Sequence, residues 1–230
     1  MKKRIILISI LCIITIILSI SIIAFNNQSF IDNINSIFTP EKVGYDFKNI
    51  LIDNKDIKIV ATINSLPIYN YQVKYEKYCN ETILESLIIK NKYEEEDIYS
   101  QYSKFYPTDD YNIILQIAKK ILLISEANSI GIIYNKDDAY EEIKKENDLI
   151  INGLNNKNIT ETQQKNEEFL KALNLTQEEY YELFYVDHII YMLTYQEYVM
   201  QYFAKNNISD INEFNDHLNI LLDSANIEIY

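Results

Sequence analysis

Hydrophobic and polar positions change their period three times along this chain. Residues 5–25 form an unbroken apolar run behind Met1-Lys2-Lys3-Arg4. Residues 26–56 scatter apolar positions with no sustained period. From Ile57 the pattern alternates. Ile57, Ile59, Ala61 and Ile63 fall on one face of a short strand, with Lys58, Val60, Thr62 and Asn64 on the other. Beyond a turn containing Pro67 the period becomes helical and stays so until Asn226-Ile-Glu-Ile-Tyr230, which alternates again. Two isolated strands in a helical chain must find partners for their backbone groups, and each is the other's best candidate. The expected fold is therefore mainly α, one helical domain over 57–230 with a small β element that pairs its N- and C-terminal strands.

Capping residues place the helices. Asn70 is positioned to cap a helix reaching about Lys92, with Ile83, Leu84, Leu87 and Ile88 on one face. Residues 94–107, acidic and tyrosine-rich, read as a loop ending at Pro107. Thr108 or Asp109 opens a helix with a core stripe of Ile113, Ile117, Ile121 and Ile124, and Gly131 supplies its stop. Asn135, with Asp137 and Asp138 on the following turn, starts a helix ended at Gly153. Thr160-x-x-Gln163 and Thr176-x-x-Glu179 have capping-box spacing, and Asp210-x-x-Glu213 repeats it before the last helix. Within 26–56 the one helical signal lies around 30–38, ended by Pro40.

The segment from Thr176 runs about 30 residues without Gly or Pro. Leu183, Val186, Ile190 and Leu193 make an aliphatic seam. Tyr181, Tyr185, His188, Met192, Tyr195 and Tyr202 lie opposite. Two arrangements fit this pattern: a helix buried on all sides, or one with an aromatic-and-Met face along a groove. Aromatics give contact area at low entropic cost, and Met adapts to irregular partners. In the groove arrangement the peptide-binding residues are Tyr181, Tyr185, His188, Met192 and Tyr195. Composition weighs toward the core, because 20 tyrosines among abundant Ile, Asn and Lys reflect a bias typical of AT-rich bacterial genomes.

The apolar run of 5–25 spans about 30 Å as a helix, the thickness of a bilayer hydrocarbon core. Its length and lack of a small-residue cleavage site favour an uncleaved signal anchor over 1–25, with a cleaved signal and secretion as the alternative. Residues 26–56 then read as a juxtamembrane stalk. The three leading cations stay cytoplasmic, so the domain lies outside the membrane. The chain carries a net charge of −13, and removing those three cations leaves −16 for the exported part. That balance excludes nucleic acid as a partner and disfavours anionic lipid headgroups. Outside the anchor Cys79 stands alone, which excludes an internal disulfide and a CxxC site, and it reads as a small buried side chain.

With these elements placed, the chain resembles the SurA/PrsA-type extracytoplasmic chaperones. IVATINSLPIYNYQVKYE (59–76) stands where that family has a strand, a tight turn and an entering helix. ILQIAKKILLISEANSIGIIYNKDDAYEEI (114–143) resembles its leucine-rich helix, Gly-Ile loop and capped acidic helix. EEFLKALNLTQEEYYELF (167–184) resembles its next block, with Asn174 in place of the usual Gly, and DSANIEIY (223–230) its closing strand. The foldases of that family insert a parvulin-type prolyl isomerase before the final helix, and this chain has no room for one. The resemblance thus implies a SurA N-terminal-like helical domain without isomerase activity. Such a domain is a membrane-tethered holdase for unfolded or extended polypeptide clients. A structural subunit of a cell-envelope assembly with one fixed partner is the alternative.

No cluster of residues reads as catalytic or metal-binding. Glu141/Glu142 and Glu178/Glu179 are neighbours at helix starts, where carboxylates complement the dipole and do not face each other. His188 and His217 fall on different helices. The expectation is a non-enzyme without cofactor or metal, its oligomeric state open.

Overall fold

Pro40 opens a helix. The computed structural model describes residues 39–53, 56–91, 95–153, 156–206 and 211–230; the apolar run of 5–25 and the helix expected over 30–38 lie outside them. Thr39 caps α1 (Pro40–Phe47) by accepting a hydrogen bond from the Lys42 amide, and a single π turn, Lys48–Ile52, follows. Proline suits this first position because its missing donor is an orphan there in any case. The segment read as a stalk therefore enters the domain from Thr39 on. Val43 and Phe47 are buried with Tyr75, Cys79, Phe169, Leu173 and Phe184. Phe47 meets Tyr75 and Phe169 edge-on at 5.0 and 5.7 Å.

The strand β1 (Ile59–Ile63) is the centre of a three-stranded antiparallel sheet, between β2 (Leu66–Tyr69) and β3 (Ile227–Ile229). The expected tie between the two ends is present, with Ala61 opposite Ile229 and Ile63 opposite Ile227. The strand β2 was not expected, because Pro67 reads as a breaker. It is tolerated because β2 is an edge strand. Asn64 and Ser65 join the hairpin with φ of 47° and 69°, the mirror-image turn that suits strand twist. The outer end of the hairpin is clipped by Asn70, whose Oδ1 accepts from Lys58 N (3.1 Å) and whose Nδ2 donates to Asp56 O (2.6 Å). Its side chain thus serves the strand and not the helix cap.

The helices follow in order: α2 (Asn70–Asn91), α3 (Glu95–Tyr102), α4 (Asp110–Ser129), α5 (Lys136–Gly153), α6 (Asn156–Leu173), α7 (Gln177–Tyr180), a π turn (Tyr181–Tyr185), α8 (Val186–Asn206) and α9 (Ile211–Ser224). Among the described residues no helix is long and apolar enough to cross a membrane. Residues 95–102, expected as loop, are helical and anchored by fully buried Ile98. Asp109 caps α4 through the Asn112 amide. At its other end Gly131, φ 88°, lets Ile132 N reach Ala127 O and Gly131 N reach Asn128 O, the Schellman arrangement. Asn135 caps α5 with a reciprocal bond from its own amide to Asp138. Thr160 does not cap a helix, since α6 already starts at Asn156 and runs through it. The Asp210 cap lies outside the described residues.

The core falls into clusters, two of which meet on α8. The sheet packs Ala61, Ile63 and Ile68 on Ile113, Ile114 and Ile117 of α4. Below it Leu123, Ala127, Tyr198 and Phe214 join α4, α8 and α9, while Ala139, Ile143, Val186 and Ile189 join α5 to α8.

Candidate functional site

The long helical run, residues 177–206, begins at a complete capping box. Thr176 Oγ1 accepts from Glu179 N (3.2 Å), and Glu179 Oε2 accepts from Thr176 N (2.8 Å). One turn later the backbone opens into the π turn Tyr181–Tyr185. A π turn adds a residue without adding a full turn, so faces assigned by a 3.6 period slip beyond it. The seam shows the slip: Val186 is buried, Ile190 and Leu193 are half-buried, and Leu183 is exposed. Meanwhile Tyr191, Thr194 and Tyr198, none of them in the seam or the binding stripe, are buried.

The structure gathers three of the five stripe residues and sets the others apart. The rings of Tyr181 and Tyr185 stack at 5.4 Å, and Tyr185 lies 6.0 Å from the His188 imidazole. Tyr195 sits further down, edge-on to Phe214 of α9 at 6.2 Å. Tyr181, Tyr185, Met192 and Tyr195 are half-buried, whereas His188 keeps only 3% of its surface. In this arrangement His188 is a core residue and the other four retain a solvent-facing side.

Electrostatics separate these side chains in the same way. The Tyr185 hydroxyl donates to Glu146 Oε2 of α5 at 2.7 Å. Burial, reinforced by that carboxylate, raises the Tyr185 pKa well above the usual phenol range. Burial likewise raises Glu146, against the hydrogen bond from Tyr185, which favours its charged form. Burial lowers His188 to about 4, with the Lys120 charge adding to the effect, so its ring is neutral at neutral pH. A second brace fixes the π turn from outside, where Glu182 accepts from Lys136 and from the Tyr140 hydroxyl (2.9 Å). The π turn is thus held on α5 at two points, through Tyr185 and Glu182, and Tyr185 also stacks on Tyr181.

Beside His188 lies a buried polar ladder that sequence reasoning missed. Lys120 Nζ of α4 meets Glu76 Oε1 of α2 at 2.6 Å, and Glu76 is fully buried. One turn along, Asn80 Nδ2 donates to Gln116 Oε1 (3.1 Å) and to Pro107 O (2.7 Å). Among the described residues Glu76 Oε2, Asn80 Oδ1 and His188 Nδ1 have no hydrogen-bond partner. Gln72, Glu76 and Asn80 recur every fourth residue, a pattern that reads as a solvated face when α2 is taken alone. The signal that corrects it is the matching pair Gln116 and Lys120 at the same spacing on α4. Cys79, on the neighbouring face of α2, is buried as expected.

No family model, curated protein or solved structure matches this chain.

Proposed function

We propose that this chain is a membrane-tethered extracytoplasmic holdase that binds unfolded or extended polypeptide without isomerase activity. The observation that carries the reading is that Tyr181 and Tyr185 at the π turn, and Met192 and Tyr195 further along the same helical run, are all half-buried. Four large side chains that keep solvent contact offer adaptable apolar surface without demanding a sequence. The acidic domain around them, in a chain of net charge −13, keeps a loaded complex soluble and favours neutral or basic clients. His188, buried in the core, drops out of the contact set.

The test is suppression of aggregation of a chemically denatured protein by the full chain. Changing Tyr185 and Met192 together to Ser is expected to keep the domain folded and to weaken suppression severalfold. Tyr185→Phe with Met192→Leu preserves apolar area and is expected to retain it. A folded Ser variant with full activity refutes the assignment and leaves the fixed-partner reading ahead.

A further inference from the structure

The two edges of the sheet are built differently. On β2, Pro67 has no N–H to give, and the Tyr69 N–H is already taken by Gln72 Oε1 at 2.8 Å. That edge is closed to another strand. On β3 the pairing with β1 uses Asn226, Glu228 and Tyr230: Asn64 N donates to Asn226 O, Tyr230 N donates to Val60 O, both at 2.9 Å, and Thr62 lies opposite Glu228. Alternation along an antiparallel strand then turns the N–H and C=O of Ile227 and Ile229 away from the sheet. Among the described residues no strand pairs with that side. On β3 itself Ile229, and next to it Tyr230, are exposed at 45% and 72%, and the strand carries neither Lys nor Pro to discourage pairing.

We infer that the outer edge of β3 accepts an extended segment of another polypeptide as a fourth strand. The inference rests on the holdase reading and assigns that activity a second contact, made through backbone hydrogen bonds at Ile227 and Ile229. Charge selects the occupant. A second copy of this chain, paired antiparallel about residue 228, sets Glu228 against its own copy, and like charges directly opposite destabilise. A segment of alternating apolar and cationic residues places a cation beside Glu228 and apolar side chains against Ile227 and Ile229. Backbone recognition of this kind accepts many sequences, with side chains setting preference.

The probe is a fluorescein-labelled nonapeptide of alternating Val and Lys, titrated against the full chain by anisotropy. A copy of the same charge, N-methylated at alternate residues, controls for simple attraction to an acidic protein. Saturable binding to the wild type is expected, weakened at least tenfold by N-methylation of the peptide. Ile229→Pro removes an outward donor while leaving the inward bonds of 226, 228 and 230 in place, and is expected to weaken binding as much. Ile229→Thr keeps the donor and is expected to bind like the wild type, and melting curves establish that both variants are folded. Equal binding of the N-methylated peptide, or undiminished binding by folded Ile229→Pro, overturns the edge while the holdase reading stands. A concentration-dependent dimer in sedimentation that Ile229→Pro abolishes also overturns it, because a second copy then holds the edge. A wild-type chain that neither binds the peptide nor suppresses aggregation removes the holdase reading itself.

Discussion

Gly44 of α1 and Ala172 of α6 cross so closely that a Cβ at Gly44 would stand 2.7 Å from the Ala172 Cβ and 2.7 Å from the Phe169 carbonyl oxygen. The backbone oxygen cannot move aside as the end of a side chain can. This contact seats α1 on α6 and makes residues 40–47 part of the domain core. Gly44→Ala is expected to destabilise by roughly 1–3 kcal/mol through overpacking, more than the helix propensity that Ala adds. Combining it with Ala172→Gly should recover only part, since the clash with Phe169 O remains. Urea denaturation of the wild type and the two variants measures this, and a Gly44→Ala protein as stable as wild type would show that α1 does not sit as described.

The buried pair Glu76–Lys120 is expected to behave asymmetrically. Lys120→Met leaves a carboxylate in the interior without its cation and should cost about 3–5 kcal/mol. The double change Glu76→Leu with Lys120→Met removes both charges and should cost far less than the sum of the two single changes. A double-mutant cycle in denaturant reads the coupling directly. Additive single effects would mean that the pair is not formed in solution.

His188 links stability to acid. Its folded pKa of about 4 lies below the ordinary 6.5 because burial, and then Lys120, disfavour the imidazolium. Between pH 6.5 and 4 the unfolded chain therefore binds more protons than the folded one, and stability falls as pH falls. Its full contribution is present above 6.5 and is lost progressively down to about 4, up to about 3 kcal/mol. His188→Gln should flatten that part of the stability profile, leaving the slopes from the carboxylates. An unchanged slope in the variant would exclude His188 as its origin.

Ser65 sits at φ 69° in the hairpin turn, a conformation that costs an L-residue of this type about 1 kcal/mol. Ser65→Gly is expected to raise stability by about 0.5–1 kcal/mol, because the turn geometry relieved there outweighs the entropy Gly adds to the unfolded chain. The same glycine placed at Thr62, inside the central strand, should destabilise. A thermal melt of each variant decides it.

Local chemistry was legible in the chain wherever a short range of residues settles the outcome. Thr176 with Glu179, Asp109 with Asn112, and Gly131 after α4 all cap or stop helices as their spacing demands, because a cap is satisfied within four residues. The pairing of Ala61–Ile63 with Ile227–Ile229 was legible for a different reason: each strand was the other's best visible partner, while β2 was hidden behind Pro67. Thr160 misled because a helix that begins upstream at Asn156 overrides a later cap.

What only the tertiary structure decided is which polar and aromatic faces are inside. Gln72, Glu76 and Asn80 form a polar stripe that alone belongs in water, and α4 buries it by presenting Gln116 and Lys120 at the matching spacing. Tyr181 and Tyr185 belong to one helical face by count, but the π turn spanning 181–185 shifts every residue after it, and His188 lies in the core. A sequence determines the period and the ends of each helix through contacts three and four residues apart. The rotation of that helix against its neighbours is set by residues far along the chain, and on that rotation the candidate site depends.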